Sequence, residues 1–496
     1  MDKIIQAGLS IQPSTRYIAY GTAGFRTLAS DLPMIFFRTG LVALLRAYET
    51  QKFIGIMVTA SHNPIHDNGL KIVDSNGEML PISWEKFTEE VANTKDLAGT
   101  LSERWPSDIN GTVLIGADNR PSSSSLVDCI KVAVAAAGGI VHDFGVVTTP
   151  EFHYLVYKSN LSGNFENTDV YIDYLRSKAS ALFNNFPGGE RYERTLDLDC
   201  AGGVGMNVMQ ILNYPWINLY NLDPAYLNTH CGAEYAHKDR KLPRSMPIGN
   251  KCASFDGDAD RLVYYYGKED LEVLGGERLT VLYAAALNKL MTQEGVQGKI
   301  TVVTTGYSNS ASINYLKDQG INCVIVPTGV KYLHEEAHKH EISIYFESNG
   351  HGTMLHHSAK LEEFKAQNAE NVANFLALAN RTVGDAAADL FLAEASLRIM
   401  DWSLNDWLNV YQDIPNLMVA VRTPMKDVIK NSWDQMEILE PVDFARNVGE
   451  IISKYAEAKA RTLIRPSGTE PIVRIYVEAV SLELCKQIIE EISKLL

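Results

Sequence analysis

A serine-containing loop directly follows an apolar run in the first quarter of the chain. Residues 53–58 are apolar, and the segment TASHNP (59–64) comes next. Asn and Pro favour a tight turn, and loops at the carboxyl ends of strands are where open α/β sheets bind ligands. The pattern predicts a reactive Ser61 with His62 beside it. An ordinary polar turn is the alternative, and a serine hydrolase is disfavoured because the segment lacks the G-x-S-x-G elbow.

An acidic loop, DGDADR (256–261), follows the short apolar approach CASF. The carboxylates of Asp256, Asp258 and Asp260 alternate with small residues, so a curled loop can direct all three onto one hard cation. The loop is not an EF-hand, because the sixth and twelfth positions are Arg261 and Gly267. Magnesium fits better than calcium, since three carboxylates leave room for water and a phosphate oxygen. A solvated acidic turn is the alternative.

A third segment, RPSGTEP (465–471), combines a rigid turn with hydroxyl and guanidinium groups. Its glycine allows backbone N–H groups to approach an anion, and guanidinium groups pair well with phosphate. Arg474 begins the apolar strand that follows. The segment predicts a phosphate site formed by Arg465, Ser467, Gly468, Thr469 and Arg474. A polar loop of a small domain, without a ligand, is the alternative.

A fourth segment, FESNGHGT (346–353), closes an apolar strand. Glu347 and Asn349 alternate on one side of an extended chain and offer acceptors and donors for sugar hydroxyls. A glycine-rich turn without a ligand is the alternative. The segment TGVK (328–331) ends another strand and adds Thr328, Gly329 and a cation, Lys331, to the candidate binding residues.

Two glycine-rich segments do not match nucleotide-binding motifs. GTAGFR (21–26) lacks the G-K-[ST] of a P-loop. DCAGGVG (199–205) does not fit a G-x-G-x-x-G register with a following helix, so it predicts a close-packed turn.

Strand-like and helix-like runs alternate through most of the chain and predict α/β units with largely parallel sheets. From residue 418 onward the pattern predicts a strand, a helix, a polar loop, a strand and a helix, as in a small α+β domain. Residues 159–194 give no clear prediction. We predict four domains, at residues 1–157, 158–270, 271–385 and 386–496, carrying the serine, acidic, sugar-binding and phosphate-binding loops in that order.

Composition limits the remaining function classes. A chain of 496 residues with 46% hydrophobic residues can bury several cores. Its formal net charge of −15 argues against nucleic acid or an anionic membrane as a partner. No leader peptide or long apolar stretch is evident, and the six cysteines form no C-x-x-C pair. We therefore expect a cytoplasmic protein that binds small molecules. We also expect it to be a monomer.

Taken together and in this order, the four segments resemble the α-D-phosphohexomutase superfamily from Gly21 to Arg474. The resemblance implies an α/β fold of four domains around a central cleft, three α/β domains with mixed sheets and a smaller C-terminal α+β domain. It implies an isomerase that is an intramolecular phosphotransferase, with Mg²⁺ as cofactor and a sugar 1,6-bisphosphate as activator.

The same resemblance implies residue roles. Ser61 would carry the phosphoserine and, with the three aspartates, hold magnesium. Glu347 and Asn349 would recognise sugar hydroxyls. The 465–469 loop would bind the phosphate that is not transferred. Lys71 and Arg26 are the candidate acid and base, whereas His62 is a catalytic candidate that could instead orient the loop.

Within the superfamily, residues 59–80, 346–353 and 401–416 are most similar to the branch that acts on N-acetylglucosamine phosphate. This similarity implies interconversion of the 6- and 1-phosphates through a bisphosphate intermediate, supplying the synthesis of UDP-N-acetylglucosamine. A glucose or mannose phosphate mutase and a non-catalytic sugar-phosphate sensor are the alternatives. A phosphatase with an Asp256 nucleophile is a further one, but it would give no reason for the serine and phosphate loops.

Overall fold

The first sheet carries the serine loop. The computed structural model describes residues 1–14, 16–21, 24–467 and 471–496. The strand order is β1-β3-β2-β4-β5, and the central strand β2 is buried throughout, as its apolar sequence IGIMV predicts. The elements are α1 (Asp2–Gly8), β1 (Phe25–Leu28), α2 (Pro33–Thr50), β2 (Ile54–Val58), β3 (Asp67–Val73), α3 (Ile82–Asn93), α4 (Leu97–Leu101), β4 (Thr112–Ala117), α5 (Ser123–Ala136) and β5 (Ile140–Val146).

The second sheet carries the acidic loop and has the order β7-β6-β8-β9. Two helices precede it and cover residues for which the sequence pattern gave no prediction. The elements are α6 (Thr149–Ser162), α7 (Asp169–Asn185), β6 (Leu196–Asp199), α8 (Gly205–Leu212), β7 (Ile217–Tyr220), β8 (Lys251–Phe255) and β9 (Leu262–Tyr266).

The third sheet carries the sugar-binding loop and has the order β11-β10-β12-β13. Long helices precede and follow this sheet in the sequence. The elements are α9 (Gly276–Glu294), β10 (Ile300–Thr305), α10 (Ser310–Asp318), β11 (Asn322–Val326), α11 (Val330–Ala337), β12 (Ile342–Phe346), β13 (Gly352–His356), α12 (Ser358–Ala366), α13 (Glu370–Leu378), α14 (Ala386–Met400) and α15 (Leu404–Leu408).

The C-terminal unit has an antiparallel sheet, β14-β18-β17, and a two-stranded ribbon, β15-β16. The sequence pattern predicted its two helices and two of its strands but not the strand β17 ahead of the phosphate loop. The elements are β14 (Asn416–Arg422), β15 (Lys430–Asn431), β16 (Ile438–Glu440), α16 (Val442–Lys454), β17 (Arg461–Pro466), β18 (Ile472–Glu478) and α17 (Leu482–Ser493).

The three larger sheets share one pattern that places their loops. Each contains two parallel pairings followed by one antiparallel pairing, in the orders β5-β4-β2-β3, β7-β6-β8-β9 and β11-β10-β12-β13. In the first sheet the chain forms these strands in a circularly permuted order: the antiparallel pair β2 and β3 comes before β4 and β5, whereas in the other two sheets the antiparallel pair comes last. In each sheet the functional loop joins the third and fourth strands of the pattern, so the three loops occupy equivalent positions.

Buried side chains form separate cores with one exception. The second and third units share a continuous apolar cluster that runs from Tyr171 on α7 to Tyr411, and α14 packs within it.

Two of the predicted domain limits can be placed on the elements. The limit after residue 157 lies inside α6, and the limit after residue 385 lies directly before α14, which begins at Ala386. The four domain limits given above stay predictions. No helix in the described ranges has the length and apolar character needed to cross a membrane.

The glycine-rich turn after β6 packs closely, as its sequence predicts, but a helix follows it. A Cβ atom on Gly203 would lie 2.3 Å from the carbonyl oxygen of Gly257 in the acidic loop. Helix α8 begins at Gly205, so a helix does follow the turn, although its glycines do not fit the dinucleotide-binding register. The turn therefore packs directly against the acidic loop, as the sequence predicts.

Candidate active site

The serine loop is held from several directions. Ser61 adopts a left-handed backbone conformation with φ 50° and is only 1% exposed. Its N–H donates to Thr59 Oγ1 at 2.9 Å, and its carbonyl oxygen accepts bonds from Arg120 and Asn228, each at 2.8 Å. These contacts fix the loop, so the hydroxyl has a defined direction.

Arg120 organises this loop, and the sequence analysis missed it. Its buried guanidinium bonds to the Asp118 carboxylate at 2.9 Å and to four loop carbonyl oxygens, those of Ser61, Asn63, Pro64 and Asp67. The sequence feature that could have indicated Arg120 is its pairing with Asp118 directly after strand β4. This strand neighbours β2 in the sheet. A charged pair at a buried strand end is more often built into a site than exposed to solvent.

The acidic loop meets the serine loop directly. Ser61 Oγ donates to Asp256 Oδ2 at 2.6 Å, and Asp256 Oδ1 accepts the N–H groups of Asp260 and Arg261 at 3.0 and 3.2 Å. A Cβ atom on Gly257 would lie 2.7 Å from the carbonyl oxygen of Ser61, so only glycine allows the two loops to approach this closely.

The three aspartates form a charge-rich, buried cluster. One carboxylate oxygen from each lies within 4.8 Å of those of the other two. Burial, together with Asp260 and Asp258, raises the pKa of Asp256 well above its usual value. Burial also opposes ionisation of Asp260, but Lys71 and His351 outweigh it and hold the pKa of Asp260 well below its usual range.

Two buried oxygens of this cluster, Asp258 Oδ1 and Asp260 Oδ1, accept no hydrogen bond. A buried carboxylate oxygen without a partner is costly, and a cation would satisfy both oxygens. Three carboxylates are hard oxygen ligands of the kind that Mg²⁺ takes. The residues present therefore fit a magnesium ion.

Lys71 and Arg26 bring cations to the same place. Lys71 Nζ lies 3.2 Å from Asp260 Oδ2 and 3.6 Å from Asp258 Oδ2. Burial opposes its charge, but these carboxylates outweigh that effect and raise the pKa of Lys71. Arg26 Nη1 donates to Asn63 Oδ1 at 3.1 Å, which links strand β1 to the serine loop.

The sugar-binding loop stacks on the acidic loop. His351 Nδ1 lies 2.9 Å from the carbonyl oxygen of Asp260, and a Cβ on Gly350, which has φ 86°, would lie 2.0 Å from the carbonyl oxygen of Leu262. Asn349 Oδ1 accepts the N–H of His351 at 3.1 Å. Glu347 faces the same cavity as Ser61, whereas Asn349 faces an adjoining one.

The phosphate loop connects β17 and β18. Arg465 and Arg474 are direct cross-strand partners in this antiparallel pair. Both line the cavity together with Ser467, whose N–H donates to the carbonyl oxygen of Ile472 at 2.9 Å. Gly468 and Thr469 lie outside the described residues.

One cavity of about 450 Å³ joins these loops. Among the described residues its wall has six cationic side chains and two carboxylates, which makes it a locally basic pocket in an acidic protein. Such a pocket suits an anionic ligand. The charged wall residues are Arg26, Lys71, Arg261, Lys331, Arg465, Arg474, Asp260 and Glu347.

Comparisons with known proteins agree with this arrangement. A model described as phosphoacetylglucosamine mutase AMG1, domain III, matches residues 275–402. Models of the phosphoglucomutase/phosphomannomutase C-terminal domain and α/β/α domain I match residues 418–495 and, in two overlapping parts, 39–99 and 85–166.

Full-length relatives decide the family. The Homo sapiens phosphoacetylglucosamine mutase is 35% identical over 98% of this chain and 95% of its own length. The chain belongs to the phosphoacetylglucosamine mutase family, within the α-D-phosphohexomutase superfamily.

Two solved structures from Aspergillus fumigatus share the whole phosphoacetylglucosamine mutase fold. One N-acetylphosphoglucosamine mutase, in complex with GlcNAc-6P and magnesium, has a TM-score of 0.91 and 31% identity over 99% of this chain and 98% of that one. The other, a serine-to-alanine variant with glucose 1,6-bisphosphate, has a TM-score of 0.88 and 31% identity over 99% and 97%. The predicted four-domain phosphohexomutase architecture is confirmed.

Most of the residues predicted for the family's site meet at this cavity, but one catalytic candidate does not. Thr328, Gly329 and Lys331 line it, and Thr328 also bonds to Gln435 of the C-terminal unit at 3.1 Å. His62 instead lines a different cavity. Burial and the nearby Arg261 and Arg26 lower the pKa of His62 to about 3, so its ring is neutral.

His153 is a cavity residue that the sequence did not indicate. Its Nδ1 lies 2.7 Å from the carbonyl oxygen of Gly77, and its buried Nε2 has no hydrogen-bond partner in the structure. Burial and Lys71 lower the pKa of His153 to about 3. The ring therefore offers one neutral acceptor to the cavity, and a lone histidine in the helical segment TPEFHYLVYKS gave no reason to expect this.

Proposed function

We propose that the chain interconverts N-acetylglucosamine 6-phosphate and N-acetylglucosamine 1-phosphate, and so supplies the synthesis of UDP-N-acetylglucosamine. The observation that carries the proposal is the contact between Ser61 Oγ and Asp256 at 2.6 Å, beside a basic cavity of sugar-phosphate size. The identity of 35% with a phosphoacetylglucosamine mutase over nearly the full chain supports it.

Ser61 is the proposed phosphoryl relay. A phosphoserine donates its phosphoryl group to the free hydroxyl of a bound sugar monophosphate: the P–Oγ bond breaks, a sugar O–P bond forms, and a 1,6-bisphosphate results. The bisphosphate turns over in the cavity and returns its other phosphoryl group to Ser61 Oγ. The free 1,6-bisphosphate therefore acts as an activator, because it can phosphorylate an unmodified Ser61.

The proton transfers involve the cations beside Ser61. Ser61 Oγ gains a proton when its bond to phosphorus breaks. Lys71 is the candidate donor of this proton, and it takes the proton back when Ser61 is phosphorylated again. Arg26 stays the candidate base on the side of the sugar hydroxyl: in its neutral form, which burial favours by lowering its pKa, it takes up the proton that this hydroxyl loses in the same step. We propose that His62 only orients the loop, because it faces away from the cavity.

Asp256, Asp258 and Asp260, with the Ser61 phosphate, are the proposed magnesium ligands. When bound, magnesium supplies charge neutralisation for the transferred phosphoryl group, which is the main need of phosphoryl transfer. The chain itself holds the Asp258 carboxylate in place, because Asp258 Oδ2 accepts hydrogen bonds from Thr149 Oγ1 at 2.7 Å and from Thr59 Oγ1 at 3.2 Å.

The remaining loops bind and orient the substrate. Arg465, Ser467, Arg474 and the backbone around Gly468 and Thr469 are proposed to hold the phosphate that is not transferred. Glu347 and Asn349 recognise sugar hydroxyls, and Thr328, Gly329 and Lys331 complete the wall. When the phosphate and the ring hydroxyls of the bound sugar are both held, the hydroxyl that accepts the phosphoryl group is positioned at Ser61.

Phosphorus NMR tests the function directly. The purified protein receives magnesium, a trace of glucose 1,6-bisphosphate, and equal amounts of N-acetylglucosamine 6-phosphate and glucose 6-phosphate. We expect the acetylated 1-phosphate to form faster. Faster conversion of glucose 6-phosphate would contradict the substrate assignment, and release of inorganic phosphate or no conversion would contradict the mutase.

We also propose that the protein acts in the cytoplasm as a monomer. Light scattering after gel filtration should give the mass of one chain. A stable dimer would contradict the monomer.

A further inference from the structure

A second cluster of metal-binding side chains lies outside the proposed active site. Glu78 follows strand β3, and His334 and His338 lie one helical turn apart on and just after helix α11. One ligand atom from each of the three lies within 4.8 Å of the others. Histidines at positions i and i+4 of a helix, together with a carboxylate, are a common set of zinc ligands.

The distances between the three ligand atoms match one face of a tetrahedron. His334 Nε2 and His338 Nε2 lie 3.1 Å apart, and Glu78 Oε1 lies 3.1 Å from His338 Nε2 and 3.7 Å from His334 Nε2. Zinc bonds of 2.0–2.1 Å at tetrahedral angles require ligand atoms separated by roughly 3.3 Å. The three observed distances between ligand atoms lie on either side of this value, so one ion can contact all three atoms without rearrangement of the backbone.

Neighbouring groups orient two of the ligands. Tyr345 Oη lies 2.7 Å from His334 Nδ1, which leaves Nε2 directed toward Glu78. Asn76 Nδ2 donates to Glu78 Oε2 at 2.6 Å, so Oε1 faces the histidines. Metal-bound histidine and carboxylate ligands in proteins commonly have such hydrogen-bonded supports.

We propose that Glu78, His334 and His338 bind a zinc ion. Two imidazole nitrogens suit a borderline metal such as Zn²⁺ and disfavour Mg²⁺, which takes oxygen ligands. The His338 side chain is 39% exposed and the Glu78 side chain 18%, so the ion has a path from solvent and water can occupy a fourth position.

The site links two parts of the protein beside the proposed active cavity. Glu78 belongs to the unit of the serine loop, whereas both histidines belong to the unit of the sugar-binding loop. Leu80 and Lys331, each close in sequence to one of the ligands, line the cavity. A bound ion therefore holds the turn after β3 against helix α11 and stabilises the folded protein.

Zinc binding to the intact protein tests the proposal. Calorimetric titration with ZnCl₂ is carried out in excess MgCl₂, which occupies the aspartate cluster. We expect one zinc per chain and a higher unfolding temperature with zinc than without it. Cobalt(II) serves as a spectroscopic substitute, since a four-coordinate site with two imidazoles absorbs visible light more strongly than a six-coordinate oxygen site.

Single substitutions locate the site. His338→Gln and Glu78→Gln should remove both the binding and the zinc-dependent shift in unfolding temperature. Tyr345→Phe should weaken binding about 10- to 100-fold, as loss of an orienting partner does in other metal sites. His340→Gln is the matched control, because this histidine lies in the same segment and pairs with Glu336 rather than with the cluster.

Binding that persists in His338→Gln and Glu78→Gln would overturn the proposal, as would loss of binding in His340→Gln. Absence of saturable binding to the wild-type protein would also overturn it, and the cluster would then be only a set of polar contacts between Glu78 and the two histidines. Mutase turnover is a separate measurement, so failure of the zinc site leaves the proposed function untouched.

Discussion

Ser61 Oγ lies 2.6 Å from Asp256 Oδ2, and this contact joins a loop of the first sheet to a loop of the second. The two residues are far apart in the sequence, yet the shared strand pattern of the two sheets puts their loops in equivalent positions. The proposed nucleophile and the carboxylate cluster thus meet beside the cavity, and Ser61, Asp260, Arg465 and Arg474 all line its wall.

Replacement of Ser61 should abolish the relay. Ser61→Ala is expected to lower the turnover number for N-acetylglucosamine 6-phosphate by about a thousandfold or more, because no hydroxyl can carry the phosphoryl group. A coupled assay for the 1-phosphate measures this. Ser125→Ala, an exposed serine on helix α5, is the control and should keep full activity. Comparable activity in the two variants would exclude Ser61 as the relay.

Removal of magnesium should destabilise the protein through the aspartate cluster. An ion at 100 times its dissociation constant stabilises a folded protein by about 2.7 kcal/mol. Thermal unfolding in EDTA and in MgCl₂ should therefore differ for the wild type, and Asp258→Asn should lose most of that difference. Asp128→Asn, an exposed residue on α5, should retain it. An unchanged magnesium response in Asp258→Asn would argue against this ion site.

Arg465 should contribute to substrate binding. A hydrogen bond to a charged group is worth about 1.5–3 kcal/mol, so Arg465→Ala should raise KM for the sugar phosphate about 10- to 100-fold. Steady-state kinetics give the value. Arg446→Ala removes an exposed arginine of the same unit, paired with Asp443, and should leave KM unchanged. Equal KM values for both variants would mean that the β17–β18 loop does not hold the phosphate.

Glu151 should make stability depend on pH. Burial raises its pKa to about 7 from its ordinary value of 4.5, and nearby Asp385 adds to the shift. A carboxyl group whose pKa is raised by folding stabilises the protein fully below pH 4.5, and this contribution is lost as the pH rises through 7.

Glu151→Gln removes this titration while keeping the capping box with Thr148, which accepts either side chain. Between pH 5 and pH 8, the free energy of unfolding of the variant should rise relative to wild type by about 1–3 kcal/mol. Urea unfolding across this range measures it, with exposed Glu90→Gln as control. A constant difference between variant and wild type would refute the prediction.

The sequence predicted the loops well where the chemistry is contiguous. Ser61, the three aspartates and Glu347 each lie in a short segment after an apolar strand, so composition and position both indicated them. Arg465 lies within β17, a strand that the pattern did not predict, and only the composition of its segment indicated it. The structure places these segments around one cavity. Gly468 and Thr469 stay predictions, because they fall outside the described residues.

The contributions of distant residues were not predictable from local pattern. Arg120 acts through bonds to four carbonyl oxygens of another segment, and His153 faces the cavity from a helix. Helix α7 was missed although its buried residues have the spacing of an amphipathic helix, so this signal was present in the sequence. The cluster of Glu78 with His334 and His338 depends on contacts between two units, which no single segment reveals.

Transfer of the phosphoryl group from Ser61 is the central claim, and it can be followed directly. The protein is charged with a sugar 1,6-bisphosphate carrying radioactive phosphate, freed of excess label, and mixed with unlabelled N-acetylglucosamine 6-phosphate in magnesium. We expect peptide mapping to place the label on Ser61 before mixing, and the label to pass to the sugar as fast as the enzyme turns over. Label on another residue, or label on Ser61 that is released as inorganic phosphate instead of reaching the sugar, would contradict the account.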